Sequence, residues 1–376
     1  MDLNDYRTQI DAIDEQIVRL FQERMDVAAH IAKYKKENNL PILQPARERA
    51  KLADVSEMSR EDMQSYIRVL YSLLFELSRT YQERDNRTEL FSKIEHAIEH
   101  TPRLFPQTAS VACQGVEGAY SQLACEKLFK NPQIQYFRNF EGVFSAIEAG
   151  FCRYGILPIE NSTAGSVKRV YDLMVKHDFS IVRSVRMKVD HCLLAKKGHG
   201  EIREIFSHEQ AIAQCAGFLK SLGNVKVTVC ENTAVASQTV AQSDRDDVAA
   251  LSSRLCAELY GLQIVKSAVQ DEGNNHTRFL CITKDTEIYP GADKTSVMMI
   301  LPHKPGALYK VLARLYALGI NLLKLESRPL PERDFEFMFY LDLETSVYST
   351  EFAQLMSELG GICEEFKYLG SYSEVV

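Results

Sequence analysis

One short run carries the densest chemistry in the chain: Asn275-His276-Thr277-Arg278-Phe279. A carboxamide, a hydroxyl and a guanidinium stand together at the entry of Phe279-Leu280-Cys281-Ile282-Thr283, which reads as a strand. The turn formers Asp271-Glu272-Gly273-Asn274 precede it. Polar groups bunched at a strand entry can dock a small carboxylate; a polar strand cap is the plainer alternative. Further polar residues sit where strands end: Ser121, Glu160, Asn161, Ser162, Ser207, His208 and Gln214. In an open α/β sheet that edge is where ligands bind. His208 by itself reads as a capping or core histidine.

A second polar set lies near the N-terminus. Arg24 and Lys35 are eleven residues apart, about three helical turns, so they face one way ~16 Å apart and can converge on a small dianion. Arg47 and Glu48 open a second helix, and Ser78 and Gln82 are an i,i+4 pair on a third. Cations, a carboxylate, a hydroxyl and an amide inside a helical bundle suggest a polar pocket, with surface salt bridging as the alternative.

The elements that must hold these residues fall into three stretches. Asp2 to Asn38 contains no Pro or Gly, and Leu3, Tyr6, Ile10, Ile13, Ile17 and Leu20 recur in threes and fours. That spacing predicts one amphipathic helix, ~55 Å long. Pro41 and Pro45 break the chain, and helices follow over Ala46–Glu57 and Arg60–Glu83, the last capped by Ser59. Helices this unequal cannot close a monomeric bundle, so residues 1–92 are expected to form an intertwined dimer. Helical character fades after Phe91, and Pro102 and Pro106 mark a linker over 93–107.

From 108 to 285 short apolar strands alternate with helical stretches, including a single helix over Gln210–Leu222. This predicts helices on mostly parallel sheets, arranged as two lobes around a cleft. The loop Gly115–Ser121 passes from strand to helix, where backbone N–H groups can face an anion. Residues 295–376 show the order βαββαβ, with strands over Asn321–Arg328 and Phe335–Leu343, which is ferredoxin-like.

Composition narrows the function. The 376 residues are 45% hydrophobic and 25% charged, as in a globular protein of several domains. A net charge of −7 argues against nucleic acid as partner. No apolar run reaches membrane-spanning length. Nine cysteines with no C-x-x-C pair suit a reducing cytoplasm and argue against a zinc site.

The helical stretch resembles the all-helical chorismate mutase family through Arg7, Arg24, Lys35, Arg47, Glu48, Ser78 and Gln82 in their mutual spacing. The resemblance implies that these positions bind the carboxylates, hydroxyl and ether oxygen of chorismate. Lys35 and Gln82 would face the ether oxygen, Glu48 the ring hydroxyl, and Arg24 and Arg47 the carboxylates. Gln44 stands where the family often has Asp, and is carried as a substrate contact.

The α/β stretch resembles prephenate dehydratase in its Gly115–Ser121 loop, Pro158-Ile159-Glu160-Asn161-Ser162, Ser207-His208 with Gln210 and Gln214, and Thr277-Arg278-Phe279. Val116 and Ala119 depart from the family, which has Pro and a small hydroxyl residue there. The resemblance implies a two-lobed fold like periplasmic binding proteins and marks Thr277 as essential. Arg278, Asn161 and Ser162 would anchor carboxylates, Gln214 would orient the ring, and Glu160 or His208 would relay a proton. The C-terminal stretch resembles the ACT domain, through Gly306-Ala307-Leu308 and Glu326-Ser327-Arg328-Pro329, with Tyr309 in place of Val. This implies phenylalanine binding by those residues as an allosteric inhibitor.

The chain therefore reads as a multidomain enzyme that isomerises chorismate to prephenate and then dehydrates and decarboxylates it to phenylpyruvate. No cofactor or metal is expected, and a homodimer or larger homo-oligomer is. The alternatives are a dehydratase whose mutase segment only dimerises, and a non-catalytic aromatic-acid sensor.

Overall fold

The computed structural model describes residues 2–38, 40, 44–83, 89–330 and 336–376. The chain forms two compact units, one of residues 1–92, 300–319 and 348–366, the other of residues 93–299, 320–347 and 367–376. The C-terminal stretch is thereby divided, its helices falling in the first unit and its strands largely in the second.

Helix α1 (Leu3–Glu37) is a single 35-residue helix. Asp2 accepts from the Asn4 and Asp5 amides, and Asp5 Oδ2 accepts from the Asp2 amide at 2.7 Å. This reciprocal box satisfies donors that a helix start leaves unpaired. Helix α2 (Pro45–Glu57) opens on a proline, whose missing N–H costs nothing at that position. A 3-10 turn, Glu61–Met63, leads into α3 (Gln64–Glu83). Ser59 does not cap it: Arg60 holds the cap position, and Ser59 Oγ donates to the Ser56 carbonyl at 2.8 Å. The break read at Pro41 and the strand start read at Phe335 lie outside the described residues.

Both α1 and α2 pack on α3. The apolar stripe that makes α1 helical is nonetheless open: Leu3, Tyr6, Ile10, Ile13, Ile17 and Leu20 are each more than half exposed. Helix α4 (Glu89–His100) occupies the first part of the stretch read as a linker. Leu90, Ile94 and Ala97 recur at helical spacing there, and Ile94 and Ala97 are buried. The interruption comes only at Thr101–Pro106.

In the second unit β1 (Thr108–Gln114), α5 (Tyr120–Leu128), β2 (Asn131–Phe137), α6 (Phe140–Glu148) and β3 (Tyr154–Asn161) follow one another, with β1 parallel to both β2 and β3. A short β4 (Gly165–Ser166) folds back on β3, and α7 (Lys168–Lys176) leads to β5 (Ser180–Lys188). The chain then crosses to a second sheet. There it forms β6 (Cys192–Ala195), β7 (Glu204–Ser207), α8 (Glu209–Gln214), α9 (Ala216–Ser221), β8 (Lys226–Val229), α10 (Thr233–Gln242), β9 (Val248–Ser252), α11 (Arg254–Leu259) and β10 (Gln263–Lys266). It returns as β11 (His276–Thr283), antiparallel between β3 and β5.

Two crossings thus join two lobes, and they are tied to each other. The Val189 amide donates to the Asn275 carbonyl at 2.8 Å, and the Val269 amide to the His191 carbonyl at 3.0 Å. The two-lobed expectation holds. The expectation of mostly parallel sheets does not, because β6 and β11, the strands that enter after each crossing, run antiparallel to their neighbours. The single helix read over Gln210–Leu222 is two, divided at Cys215.

The remaining elements are β12 (Lys294–Ile300), α12 (Ala307–Ala317), β13 (Asn321–Pro329), β14 (Phe337–Glu344), α13 (Thr350–Ile362) and β15 (Glu365–Val375), in the expected βαββαβ order. The end of β15 pairs in parallel with β5, so these strands extend the first-lobe sheet as β13-β14-β12-β15-β5-β11-β3-β1-β2. Met298, Met338, Tyr340, Leu369 and Tyr372 share one core with Leu157, Tyr171 and Leu280. In the first unit, Arg314 of α12 is buried beside Glu76 of α3 and Glu358 of α13, at 3.8 and 3.1 Å, with Lys310 3.3 Å from Glu76. Among the described residues no helix is long and apolar enough to cross a membrane.

The junction of β15 with β5 depends on Gly370. Its φ is +138°, and a Cβ there would overlap the Ile181 carbonyl. Both the backbone conformation and the close approach require glycine. Gly370→Ala is expected to lower the unfolding free energy by about 3 kcal/mol, read as a fall in the urea midpoint; an unchanged midpoint would show that the strand contact is dispensable.

Candidate functional site

Strands β3 and β11 are paired with Thr277 opposite Asn161 and Arg278 opposite Glu160. Successive strand residues point to opposite faces, and cross-strand partners share a face. Four adjacent polar residues are thereby sorted into two clusters, one on each side of the sheet.

On one face Asn161 Nδ2 donates to Thr277 Oγ1 at 2.9 Å and to Asn275 Oδ1 at 2.7 Å. Asn161 Oδ1 accepts from the Thr163 amide, the Thr163 hydroxyl and the Ala164 amide, at 3.1, 2.8 and 2.9 Å. Gln214, at the end of α8, joins from the second lobe. Its Nε2 donates to Thr163 Oγ1 at 2.9 Å, and its Oε1 accepts from Asn275 Nδ2 at 2.9 Å and lies 3.0 Å from His191 Nε2. Thr277 Oγ1 therefore accepts from the protein, and its own proton is left for another acceptor. Residues of both lobes thus meet in the network around Asn161, which holds this hydroxyl. Asn161, expected to anchor a carboxylate, instead spends both amide hydrogens on Asn275 and Thr277.

On the other face Arg278 is buried between two carboxylates. Its Nε lies 2.7 Å from Glu160 Oε1, and its Nη2 pairs with Asp342 of β14, which is fully buried. Burial alone pulls the guanidinium down; the Asp342 charge, with Tyr340, Tyr372 and Glu160, outweighs it and holds the group above its ordinary value. Glu160 Oε2 is taken by Lys324 Nζ at 2.6 Å. Neither Arg278 as a substrate anchor nor Glu160 as a proton relay is thus on the Thr277 face. The physical reason is strand alternation, which sequence adjacency conceals.

The other expected residues are engaged elsewhere. Ser121 Oγ donates to the Gln114 carbonyl at 2.6 Å, and Ser207 Oγ to the Leu251 carbonyl at 2.8 Å; both residues are buried. His208 caps α8, its Nδ1 accepting from the Gln210 amide at 3.3 Å. Ser162 Oγ donates to the Asn274 carbonyl at 2.8 Å and accepts from the His276 amide at 2.9 Å, closing the turn beside Thr277. In the glycine loop the Gly118 amide donates to Gln122 Oε1 at 2.7 Å, so that donor is already used.

In the helical unit Arg24 Nη1 donates to the Leu74 carbonyl at 3.2 Å and to Ser78 Oγ. Burial lowers this guanidinium, partly opposed by Tyr71. Glu48 pairs with Arg79, one residue beyond Ser78, which sequence reading passed over. Gln82 Oε1 is buried without a hydrogen-bond partner among the described residues. Lys35 is half-buried, whereas Arg7, Gln44 and Arg47 are exposed. The structure thus joins Arg24 to Ser78, puts Glu48 on α2 and Gln82 on α3, and leaves Arg7 ~25 Å along α1 from Arg24.

Of the expected effector residues, Gly306 is the left-handed start of α12, with φ +81°, followed by Ala307 and Leu308. Glu326 and Arg328 are committed on β13. Ser166 Oγ donates to Glu326 at 2.6 Å, and Arg328 forks onto Asp172 at 3.0 and 2.9 Å. Ser327, between them, is exposed on the opposite side. Lys324, Glu326 and Arg328 form a period-two polar face of β13, a signal that could have placed Lys324 in sequence reading. Asp342, a lone acid in the apolar middle of Phe337–Glu344, was legible in the same way. Among the described residues no group of three or more His, Cys, Asp or Glu could hold a metal ion.

Comparison with known proteins bears on both clusters. Residues 6–83 match the family model of type II chorismate mutase, and residues 111–287 that of prephenate dehydratase. The chain is similar to the bifunctional chorismate mutase/prephenate dehydratase of Escherichia coli, 30% identical over 97% of this chain and 95% of that protein. It is 39% identical to an arogenate dehydratase/prephenate dehydratase of Arabidopsis thaliana over 70% of this chain and 72% of that protein. Among solved structures, prephenate dehydratase from Arthrobacter aurescens in complex with L-Phe superposes with a TM-score of 0.65 at 26% identity, covering 70% of this chain and 90% of that one. The quorum-quenching acylase GqqA superposes equally well at 32% identity, covering 70% of this chain and 97% of that one.

The Arg278–Asp342 pair is the strongest electrostatic commitment in this region. Removing one member of a buried pair leaves the other charge uncompensated. Asp342→Ala is expected to cost about 3 kcal/mol of stability, measured by urea unfolding, whereas Asp178→Ala, at the exposed Asp178–Lys367 pair, should cost under about 1 kcal/mol. Equal losses would refute the burial argument.

Proposed function

Because the chain belongs to the family of bifunctional chorismate mutase/prephenate dehydratases, we propose that it converts chorismate to prephenate in its helical unit. We further propose that it converts prephenate to phenylpyruvate in its two-lobed segment, under feedback inhibition by L-phenylalanine. One observation carries this reading: a relative with both activities in its name matches the chain almost end to end, so both segments and their order are accounted for together.

The mutase step is a Claisen rearrangement. It transfers no proton and needs chorismate held in a near-attack shape. Donors must meet the ether oxygen as charge develops there. Arg24, held by the Leu74 carbonyl and Ser78, supplies a fixed cation. Gln82 supplies an amide whose buried end is uncommitted and which can turn its Nε2 toward the ether oxygen. Lys35, Arg47, Gln44 and Glu48 complete the pocket in this reading, Glu48 being oriented by Arg79.

In the dehydratase step the ring hydroxyl and a carboxylate leave together, as water and carbon dioxide, and the ring becomes aromatic. The leaving hydroxyl must gain a proton. The Thr277 hydroxyl, with its acceptor side held by Asn161, donates a hydrogen bond to that oxygen, and the proton the departing water takes up comes from solvent. Ser162 closes the adjacent turn, and Gln214 brings the second lobe to the same point.

The C-terminal βαββαβ segment is assigned to the ACT type and to phenylalanine, with Gly306, Ala307 and Leu308 at the bare N–H start of α12 and Ser327 on the free side of β13. Nine cysteines without a C-x-x-C pair support a cytoplasmic setting. The open apolar stripe of α1 supports a homodimer built on that helix.

Chorismate supplied to the pure protein should yield phenylpyruvate, and phenylalanine should suppress it. Thr277→Ala is expected to abolish phenylpyruvate formation while chorismate consumption stays within about twofold of wild type, since distant sites act independently. Loss of both activities in folded protein would sink the two-site reading. Failure of the wild type to consume chorismate would favour a silent mutase segment, and failure to consume prephenate would favour a sensor.

The mutase site is shared across the dimer in this reading. Arg7 and Arg24 are too far apart on one helix, ~25 Å, to hold one chorismate. Arg7→Ala and Arg24→Ala proteins, each inactive as a mutase, should recover roughly a quarter of wild-type activity when refolded together. Half the dimers are then mixed and carry one intact site of two. No recovery, with mixed dimers demonstrated, rules out sharing.

A further inference from the structure

His191 lies at the first crossing between the lobes, is 2% exposed, and carries no role in the readings above. Its Nε2 is 3.0 Å from Gln214 Oε1, and its Nδ1 is buried without a hydrogen-bond partner among the described residues. The Tyr120 ring stands edge-on beside it, with centroids 6.2 Å apart. Burial lowers its pKa from the ordinary 6.5, the Gln214 contact and Asp190 opposing. The ring is therefore neutral near pH 7, and one nitrogen bears the proton.

Which nitrogen bears it follows from an anchor that cannot rotate. The backbone amides of Thr163 and Ala164 donate to one side-chain atom of Asn161, so that atom is the oxygen. The other Asn161 atom is then the NH2, which points at Asn275 and Thr277. The Asn275 atom that receives it is an oxygen, so Asn275 presents its NH2 to Gln214. Gln214 must meet that NH2 with its oxygen, and the same oxygen faces His191 Nε2. Nε2 is thus protonated and donates, while Nδ1 is bare. Asn161, Asn275 and Gln214 each have one orientation that satisfies all these partners.

We propose that His191 is a positioning residue for the dehydratase reaction. Its Nε2–H donates to Gln214 Oε1, holding from the crossing the side chain that braces Thr163 and, through it, the Asn161 that donates to Thr277. The assignment rests on the reading of Thr277 as the reacting hydroxyl. Without the His191 donor, Gln214 Oε1 keeps only Asn275, and the Gln214 side chain is free to swing away from the crossing. Gln214 Nε2 then no longer holds Thr163 Oγ1, and the hydroxyl that supports Asn161 is released. His191 touches no substrate in this scheme and acts only through Gln214.

Three measurements on the full-length protein test this. In ¹⁵N-histidine NMR, His191 should show a protonated Nε2 and a bare Nδ1 at pH 7; an Nδ1–H tautomer or an imidazolium overturns the proposal, whatever the variants do. In prephenate kinetics, His191→Leu should lower kcat about 100-fold with KM within about twofold, the scale of a misplaced reacting group. His191→Gln, which offers an N–H at similar reach, should restore kcat to within about fivefold of wild type. If His191→Leu melts early, His191→Gln against His191→Met at a temperature where both are folded makes the same comparison. Equal kcat in the donor and non-donor variants overturns the proposal. Finally, adding His191→Leu to Thr277→Ala should leave the residual rate unchanged, because the hydroxyl it orients is gone; a further 100-fold fall overturns it. Should Thr277→Val retain wild-type kcat, the reading of Thr277 fails instead, and the NMR result still stands by itself.

Discussion

The β3–β11 pairing is the constraint on which the dehydratase segment depends. It sets Thr277 against Asn161 and Arg278 against Glu160, and the pleat sends the two pairs to opposite faces. A one-residue slip would exchange the faces, burying the threonine and turning the arginine outward. Register is secured from both sides of β11, since β5 pairs with it along its whole length. The charged pair on the hidden face also resists slippage, because Arg278 and Asp342 could not separate without leaving a buried charge. One face therefore holds the strands together, and the other carries Thr277 and Asn161.

The Thr277 face carries a hydrogen-bond network with a direction. Side-chain amides and hydroxyls can usually reverse, which makes a polar cluster adaptable but imprecise. Here two backbone amides at Thr163 and Ala164 set one end, and the sense propagates through Asn161, Asn275 and Gln214. The network also spans the lobes, since Gln214 belongs to the second and Asn161 to the first. The arrangement at Thr277 thus registers how the lobes are set, and the mutually bonded crossings limit how far that can vary.

The helical unit obeys a different constraint. Its longest helix exposes a stripe of leucine, isoleucine and tyrosine that its own chain does not cover, while Arg24, Ser78, Glu48 and Arg79 are already paired within the chain. The hydrophobic effect leaves such a surface unfavourable in water. The same unit ties α3 to α12 and α13 through Glu76, Arg314, Lys310 and Glu358. Glu76 lies two residues from Ser78, so the helix bearing the Arg24–Ser78 contact also bears a buried ionic contact to the C-terminal helices.

Much of this was legible in the sequence by itself. Periodicity and the lack of proline determined α1, and the βαββαβ order and the two lobes followed from alternating patterns. The resemblances pointed to segments that the comparisons match, and within them to Thr277, Asn161, Gln214, Arg24, Ser78 and Gln82 as expected site residues. Three-dimensional structure decided what adjacency could not. Arg278 and Glu160 stand beside Thr277 and Asn161 in sequence, yet the pleat separates them. Glu326 and Arg328, expected with Ser327 to meet the effector, bond to Ser166 and Asp172 on one face of β13 while Ser327 lies on the other. Ser121, Ser207 and His208 are bonded to nearby backbone groups. His191 entered because packing brought distant segments together. Local patterns record which face of an element is apolar, since that is written along one chain direction. Which polar groups meet across the sheet, and which way each hydrogen bond runs, depends on register and on partners scores of residues away.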